Sequence, residues 1–413
     1  MLFPKTSFPK SEIRVLLLEG ISANAEAAFQ AAGYTQVTTV SDSLTDDALI
    51  ELISQAHIVG IRSRTQLNAK VLAHAKRLMA IGCFCIGTNQ VDLESAQRMG
   101  IPVFNAPYSN TRSVAELVIA HIIFLLRGIA QKNAQCHRGV WQKSALRSHE
   151  TRGKKLGIIG YGHIGTQVGV LAEALGMQVI FFDIQGKLAL GNARAEDSLH
   201  ALLSQSDVVT LHVPQSPSTF HLIGAAQLAA MKPGAHLINA ARGDVVDIDA
   251  LVTALQSGHV AGAAIDVFPV EPKSNKDPFV SALLPFDQVI LTPHIGGSTL
   301  EAQDNIGAEV AAKLVLYSDN GSTLSAVNFP DVVLPEHPNS VRILHIHRNV
   351  PGIMSDLNEV LSRYKINIHA QYLRTDSALG YVVMDTNADH EQAKSLKTDL
   401  EKIPNTIRAR LLY

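Results

Sequence analysis

Apolar runs alternate with segments of helical periodicity along most of the chain. From residue 13 onward, the strand-like runs RVLLLEG, TQVTTV, HIVGIRS and LMAIGCFCIG are separated by helical segments such as ANAEAAFQAAG. Strands that alternate with helices are typical of a parallel sheet covered by helices. The first part of the chain is therefore predicted to form an α/β unit of its own.

A second α/β unit is centred on a glycine motif in residues 154–183, KKLGIIGYGHIGTQVGVLAEALGMQVIFFD. Gly160, Gly162 and Gly165 follow an apolar strand with G-x-G-x-x-G spacing, and the next strand ends on Asp183. These glycines permit a tight turn, the close approach of a pyrophosphate, and close packing of helix on strand. The helix N-terminus attracts phosphate, and the Asp183 carboxylate suits a ribose diol but repels a 2′-phosphate. The pattern predicts a Rossmann-type domain that binds NAD rather than NADP.

The last eighty or so residues have a different order of elements. After the proline-rich segment NFPDVVLPEHPNS, the pattern is strand, helix, two strands, helix and a final strand, TIRARLLY. This β-α-β-β-α-β order is typical of a ferredoxin-like domain.

Two segments carry predictions of local structure. Residues 1–12 lack periodicity and are expected to form a loose arm, and Thr111–Trp141 is expected to be one long helical stretch. Ser113, with Glu116 three residues later, fits a capping box at its start. Trp141, the only tryptophan, is a candidate subunit contact, with packing inside the chain as an equal alternative.

Composition excludes several classes of protein. The chain has 413 residues, 46% hydrophobic and 17% charged, with a net charge of −2, which suits a globular α/β protein and not a nucleic-acid binder. The 3 cysteines cannot form a disulfide framework and indicate a reducing compartment. We find no apolar stretch of signal or transmembrane length, so a cytoplasmic protein without a membrane partner is expected.

Four chemically active side chains follow strands of the second unit: Arg242, Asp266, Glu271 and His294. Parallel strands deliver such residues to one edge of a sheet. Hydride transfer between an alcohol carbon and nicotinamide needs an acid–base group, for which His294 is suited, and Glu271 can pair with its second nitrogen. Arg242 can hold a 2-hydroxy or 2-oxo acid in a fork. Singly, each residue has an ordinary structural role, but together they predict a dehydrogenase site.

The first unit offers candidate substrate ligands at its own strand ends. Arg62, Ser63 and Arg64 close the strand HIVGIRS and suit a phosphate or carboxylate, the alternative being a solvated charged loop. Asn110 follows another strand end and is predicted to help hold the substrate.

Residues 13 to about 328 resemble the D-isomer-specific 2-hydroxyacid dehydrogenases, through GYGHIG, LINAARGDVVD, AAIDVFPVEP and LTPHIGGST. AIGCFCIGTNQVDL, LSAVNFP and TIRARLLY extend this resemblance to bacterial members that act on 3-phosphoglycerate and carry an ACT regulatory domain. The resemblance implies oxidation of 3-phosphoglycerate to 3-phosphohydroxypyruvate with NAD, with 2-oxoglutarate reduction as a side activity. Another D-2-hydroxyacid dehydrogenase, or a non-catalytic NAD-sensing regulator, remains an alternative.

The same resemblance implies site residues and domain limits. It implies Arg242, Glu271 and His294 as the catalytic residues, and basic residues such as Arg62 and Arg64 for the substrate phosphate. Its implied NAD contacts, beside the glycine loop, are His163, Ile164, Asp183, Ala240, Ala241, Arg242, Asp266, His294, Ile295, Gly296 and Gly297. It implies a discontinuous, flavodoxin-like substrate domain (1–110 and 297–330), an NAD domain (111–296), a linker (331–340) and an ACT domain (341–413).

ACT domains bind small amino acids between paired copies, so the resemblance also implies an effector and an oligomer. The serine ligands of the family correspond to His347, Asn349 and Asn367, although Arg348 and Val350 depart from the usual sequence. L-Serine is therefore the expected inhibitor, and a homotetramer the expected assembly. His345 and His347 share a strand face, but no carboxylate or cysteine nearby completes a metal site, so we predict no metal.

Overall fold

The computed structural model describes residues 9–42, 44–272, 276–337 and 340–413, except for the side chain of residue 390. Most of the predicted N-terminal arm and part of the predicted linker thus lie outside the described residues. The chain forms two compact units, Met1–Ser109 with Gln303–Tyr413, and Asn110–Ala302.

The first unit contains a parallel sheet of five strands in the order β2-β1-β3-β4-β5, all neighbours being parallel. Its strands are β1 (Arg14–Leu17), β2 (Gln36–Thr39), β3 (Ile58–Ile61), β4 (Ala80–Cys83) and β5 (Val103–Asn105). Its helices are α1 (Ala23–Ala31), α2 (Asp46–Ile53), α3 (Ala69–Leu72) and α4 (Leu93–Arg98). This 2-1-3-4-5 order is the flavodoxin-like one, as predicted.

Apolar residues cover both faces of this sheet, which is why its central strands are continuous hydrophobic runs. All residues of β3 and β4 are buried. The next six helices in the chain belong to the second unit: α5 (Thr111–Arg127), α6 (Ile129–His137), α7 (His163–Ala174), α8 (Leu199–Gln205), α9 (Ala225–Ala230) and α10 (Ile248–Gln256). The following helix, α11 (Leu300–Asn320), returns to the first sheet, where Val310 and Leu314 lie so close to Gly82 that a Cβ there would clash.

The sheet of the second unit has seven parallel strands, in the order β12-β11-β10-β9-β6-β7-β8. They are β6 (Lys155–Ile159), β7 (Gln178–Phe182), β8 (Arg194–Ala195), β9 (Val208–Leu211), β10 (Ala235–Asn239), β11 (Val260–Ile265) and β12 (Val289–Leu291). The order reverses between β6 and β9, and in such sheets the ligand lies at the carboxyl ends beside that reversal. The predicted Rossmann-type lobe is confirmed.

The C-terminal part of the first unit is the predicted ferredoxin-like domain. Its antiparallel strands run in the order β14-β15-β13-β16. Its elements are β13 (Val341–Arg348), α12 (Ile353–Arg363), β14 (Ile368–Thr375), β15 (Leu379–Thr386), α13 (His390–Leu400) and β16 (Thr406–Leu412). Apolar clusters lie on both faces of the sheet, one of them around α12 and α13. A guanidinium–carboxylate pair is also buried, with Arg342 Nε 2.6 Å from Asp385 Oδ1.

Three local predictions were wrong. The stretch 111–141 is two helices, because Gly128 adopts a left-handed conformation and ends α5, and α6 then leaves at 69°. The cap of α5 is Asn110, so Ser113 lies inside the helix and bonds Thr299 instead. The arm is not loose throughout, because Lys10 begins a short 3-10 helix and pairs with Asp319 at 2.7 Å. Trp141 is 83% exposed, which argues against packing inside the chain.

No single helix among the described residues combines the length and apolarity needed to cross a membrane. The bent pair α5 and α6 passes that test of length and composition only when joined. Within the same residues, no group of three or more His, Cys, Asp or Glu side chains could hold a metal ion.

Candidate active site and nucleotide site

The three glycines after β6 have the geometry that a dinucleotide requires. Gly160 has a φ of +89°, and a Cβ there would lie 2.7 Å from the His212 carbonyl oxygen. A Cβ on Gly165 would lie 2.2 Å from the Gly160 oxygen, so glycine permits the close packing of α7 on the strand. At Gly162 the space is open to at least 4 Å, and α7 begins at the next residue, His163. This open, positively polarised helix start fits a pyrophosphate.

Asp183 lies at the position expected for a ribose-binding carboxylate. It directly follows β7, and its Oδ2 accepts a hydrogen bond of 2.8 Å from the Tyr161 amide inside the glycine loop. Oδ1 accepts a second bond, 2.9 Å long, from the Gln185 amide. The carboxylate is thereby held beside the loop that would receive the pyrophosphate, and these residues fit NAD.

The sheet edge carries a histidine paired with a glutamate. His294 lies three residues beyond β12, and its Nδ1 is 2.9 Å from Glu271 Oε2. Glu271 is fixed by a second bond, because its Oε1 accepts from the Phe268 amide at 3.2 Å. The distal nitrogen of His294 is therefore the one that can exchange a proton with a substrate.

The pair shifts both ionisation equilibria in the direction that acid–base work needs. The hydrogen bond to Glu271, opposed by partial burial, raises the pKa of His294 above its usual value. Burial alone would raise the pKa of Glu271, but its bond and attraction to His294 together hold that pKa below the usual value. An anionic glutamate next to a readily protonated imidazole results.

Asp266 anchors the loop that carries His294. Its buried carboxylate accepts hydrogen bonds from the Thr292 hydroxyl at 2.6 Å and from the Ile295 and Gly296 amides, each at 2.9 Å. The Asp266 carbonyl also accepts from the His294 amide at 2.8 Å. These bonds hold His294 at a φ of +53°, a conformation that costs energy in a non-glycine residue. Asp266, predicted as an NAD contact, thus positions the loop that carries His294.

Arg242 is brought next to the same loops. It follows β10 by three residues, and its charge acts on both His294 and Glu271. Its neighbour Gly243, which was not among the predicted site residues, is equally constrained, because a Cβ there would lie 2.0 Å from the Phe268 carbonyl carbon. Glycine is needed because the Arg242 loop lies directly against the segment leading to Glu271. The only signal for this in the sequence was the glycine after the arginine.

The remaining predicted nucleotide and substrate residues of this unit surround the same edge. Ala240 and Ala241 connect β10 to Arg242, and Ile164 lies in the first turn of α7. Gly297 lies against Asn110, since a Cβ at Gly297 would be 2.6 Å from Asn110 Nδ2. The Oδ1 atom of Asn110 is buried and accepts no hydrogen bond from the described protein atoms. A substrate donor would satisfy it.

The predicted phosphate-binding loop of the other unit is organised by a residue that the sequence analysis missed. The buried carboxylate of Glu19, just beyond β1, accepts from the amides of Arg62 at 3.2 Å, Arg64 at 3.0 Å and Thr65 at 2.8 Å. Arg62, Ser63 and Arg64 all have solvent-accessible surface. An acid directly after an apolar strand was the available signal.

Within one chain, the three predicted serine ligands do not come together. Arg348 pairs with Leu379 at one end of β15, and there the Asn349 side chain donates to the Asp376 carbonyl at 2.7 Å. Asn367 lies at the other end, where its amide donates to Asn387 Oδ1 at 2.9 Å. The His347 ring is only 1% exposed, with its Nδ1 3.2 Å from His345 Nδ1. A site using all three needs residues from two copies.

Comparisons with known proteins agree with this architecture and define a class. The family model described as D-isomer specific 2-hydroxyacid dehydrogenase, NAD binding domain, matches residues 119–296, and an AHAS small subunit-like ACT domain model matches residues 343–408. A D-lactate dehydrogenase from Aquifex aeolicus, solved with NAD and lactic acid, is 27% identical with a TM-score of 0.67, covering 77% of this chain and 100% of that chain.

Whole-chain relatives narrow the class further. The D-3-phosphoglycerate dehydrogenase of Escherichia coli (strain K12) is 59% identical over 409 residues, covering 99% of this chain and 100% of that protein. That of Dictyostelium discoideum is 48% identical over 410 residues, covering 99% and 100%. The chain belongs to the D-3-phosphoglycerate dehydrogenase family. It is an NAD-dependent oxidoreductase with a C-terminal ACT domain.

Proposed function

We propose that the chain oxidises 3-phospho-D-glycerate to 3-phosphohydroxypyruvate, the first step of L-serine biosynthesis. The names of its whole-chain relatives support this substrate. The observation that carries the proposed chemistry is the 2.9 Å contact between His294 Nδ1 and Glu271 Oε2 at the carboxyl edge of a nucleotide-binding sheet.

In the proposed reaction, NAD would be held by the glycine loop and Asp183 and would supply the hydride acceptor, and the protein side chains handle the proton and the charge. Neutral His294 takes the hydroxyl proton through its distal nitrogen, and Glu271 stabilises the imidazolium that forms. Arg242 binds the substrate carboxylate and polarises the developing carbonyl group. Arg62, Ser63, Arg64 and Asn110 are the proposed ligands of the rest of the substrate. In the reverse direction the imidazolium returns the proton.

The proposed substrate carries a phosphate ester at one end and a carboxylate at the other, which suggests one further reaction. 2-Oxoglutarate carries a carboxylate where the phosphorylated substrate carries phosphate, and its length is similar. We therefore propose its reduction to 2-hydroxyglutarate as a slower activity of the same site.

Steady-state kinetics on the purified protein test the reaction. NADH-dependent reduction of 3-phosphohydroxypyruvate should be fast, and reduction of pyruvate or glyoxylate slow. A good rate on pyruvate or glyoxylate with none on 3-phosphohydroxypyruvate would assign a different 2-oxo acid substrate.

A His294→Ala variant tests the assigned acid–base group. Its turnover should fall by about a hundredfold or more, with NADH affinity nearly unchanged, because the loss is confined to proton transfer. The matched control is His200→Ala, an exposed histidine on α8, which should behave as the parent. Joint loss of turnover and NADH binding in His294→Ala would mean that the residue is structural.

Regulation is proposed to occur through paired ACT domains that bind L-serine. His347 and Asn349 of one copy would combine with Asn367 of another. The support for this pairing is that Asn349 lies beside one end of β15 and Asn367 beside the other end. The edge strand β14 is eight residues long and mostly exposed, and such an edge can pair with a second copy. The sequence resemblance implied a homotetramer. Such an assembly would need a second contact between copies of the chain, in addition to the pairing of β14 edges.

A serine titration of NADH-dependent activity tests this regulation. L-Serine should inhibit the parent protein, and Asn349→Ala should remove most of that inhibition while leaving uninhibited turnover unchanged. Asn358→Ala, on the exposed side of α12, serves as the control and should keep full inhibition. Equal inhibition of Asn349→Ala and the parent would discard the proposed ligand set.

A further inference from the structure

A cationic cavity lies in the first unit, beside the end of β13 that carries the proposed serine ligands His347 and Asn349. It measures about 530 Å³, and four of its lining side chains are basic: Lys76, Arg98, Arg348 and Arg408. Its size falls in the range of sites that hold small molecules. Lys76 follows α3 and Arg98 ends α4, whereas Arg348 ends β13 and Arg408 lies in β16.

The positive charge of this cavity is largely uncompensated. No acidic residue lines it, and in the described part of the chain Lys76, Arg348 and Arg408 take part in none of the ion pairs. Of the four, Arg98 alone has an acidic partner among the residues that the structure describes, the exposed Glu94 of its own helix. The carboxylate of the neighbouring acid Asp376 is already bonded to Gln97 and to two backbone amides.

The backbone holds these cations in place. The Arg348 amide donates to the Asn405 carbonyl at 3.0 Å, where a register irregularity in the β13–β16 ladder brings the end of β13 beside the start of β16. Gly100 packs against the same strand, since a Cβ at Gly100 would lie only 3.1 Å from Ile407 Cγ2. Arg408 donates to the Leu78 carbonyl, and burial lowers its pKa from the ordinary value. A partly buried guanidinium that bonds a neutral oxygen gains strongly from an anionic partner.

We propose that this cavity binds a small, multiply charged phosphate compound, with its phosphate oxygens shared between Arg348 and Arg408 on one side and Lys76 and Arg98 on the other. Arginine forks match phosphate geometry, and a lysine adds a mobile point charge. A single phosphate would reach only part of the set, whereas a diphosphate or a phosphate ester with a second acidic group can span it. The bound anion joins the ACT strands to the parallel-sheet lobe of the same unit.

Calorimetric titration of the full chain with pyrophosphate, in saturating NADH, tests the site. NADH is present so that the nucleotide site is filled. Pyrophosphate should bind with a Kd below about 1 mM. Lys76→Ala and Arg348→Ala, both exposed positions whose removal spares the core, should each weaken binding about tenfold. Inorganic phosphate should bind more weakly than pyrophosphate.

Two matched variants separate binding in this cavity from general charge attraction and from binding at the substrate loop. Arg374→Ala removes one positive charge from exposed β14 and should leave pyrophosphate affinity unchanged. Arg62→Ala, in the proposed substrate loop, should also leave it unchanged. Absence of pyrophosphate binding, equal affinity for both anions, or binding that is lost in Arg62→Ala but kept in Arg348→Ala would each overturn the proposal. Folding of every variant is checked by its thermal midpoint without anion.

Discussion

The Nδ1 atom of His294 and the Oε2 atom of Glu271 lie 2.9 Å apart, on loops that approach the same edge of the sheet from different strands. Because this contact raises the pKa of His294, it sets the pH range in which the imidazole can either take or give a proton.

Replacing Glu271 by glutamine should move the pH profile to lower pH. Neutral His294 is needed for oxidation, so the oxidation rate rises with pH through the His294 pKa, and the reduction rate falls through it. Without the glutamate charge that pKa drops, and both midpoints shift downward, with turnover about a hundredfold lower. The profiles of kcat/KM in both directions measure this. Glu301→Gln, an exposed acid at the start of α11, should show neither change, and an unshifted profile in Glu271→Gln would remove the glutamate from the mechanism.

Gly243→Ala should disturb catalysis through the backbone. The added Cβ would lie 2.0 Å from the Phe268 carbonyl carbon, so the Arg242 loop must move away from the segment that leads to Glu271. Overpacking of this kind costs about 1–3 kcal/mol of stability. We expect a lower kcat, measured with a folded variant. Gly224→Ala, where the nearest atoms are 3.6 Å away, is the control, and normal turnover in Gly243→Ala would show that the loop tolerates the shift.

Glu19→Gln should affect substrate binding more than turnover. The carboxylate holds the backbone of Arg62, Arg64 and Thr65, and an amide can no longer accept all of these bonds. The KM for 3-phosphohydroxypyruvate should rise about tenfold, with kcat changed little. Glu26→Gln, a half-buried acid in the first turn of α1, should leave KM unchanged. A fall in kcat alone would contradict a role in phosphate binding.

The buried histidines of the ACT domain should make the protein less stable in acid. Burial, together with repulsion from His347, lowers the pKa of His345 from 6.5 to about 3, so unfolding allows the ring to take up a proton. Stability from the neutral ring is fully present above pH 6.5 and declines as pH falls towards 3, by up to about 1.4 kcal/mol per pH unit. His345→Asn should flatten the dependence of the thermal midpoint on pH. His369→Asn, on exposed β14, should leave that slope as in the parent.

The buried pair of Arg342 and Asp385 should matter strongly for stability. Arg342 also donates to the carbonyls of Asn320 at 3.0 Å and Pro335 at 2.9 Å, so it ties the ACT sheet to the end of α11 and to the segment before β13. Asp385→Asn leaves the guanidinium buried without a counter-charge and should cost about 3 kcal/mol or more. Urea unfolding measures this, with the exposed Asp356→Asn as control. A loss below about 1 kcal/mol would mean that the charge is compensated by the carbonyls alone.

Much of the fold and the core of the site were accessible from the sequence because they depend on local patterns. Strand–helix alternation predicted two parallel sheets, which the structure confirms. The spacing of Gly160, Gly162 and Gly165 predicted a nucleotide loop; these glycines form a tight strand-to-helix turn, and their contacts with NAD stay a prediction. His294, Glu271 and Arg242 each follow a strand, and neighbouring parallel strands end at one edge. Their approach to one another could therefore be inferred without coordinates, whereas their roles in the reaction stay a prediction.

Other features depend on contacts between residues far apart in the chain, and only the tertiary structure decided them. Helical periodicity runs through residue 128, but the left-handed conformation of Gly128 ends the helix there. The amides bonded by Glu19 lie more than forty residues away, and the close approach of Gly243 to Phe268 spans two loops. The cavity lined by Lys76, Arg98, Arg348 and Arg408 likewise joins segments that have no common sequence pattern. Periodicity reports which face of an element is buried, but not which distant backbone atoms it meets.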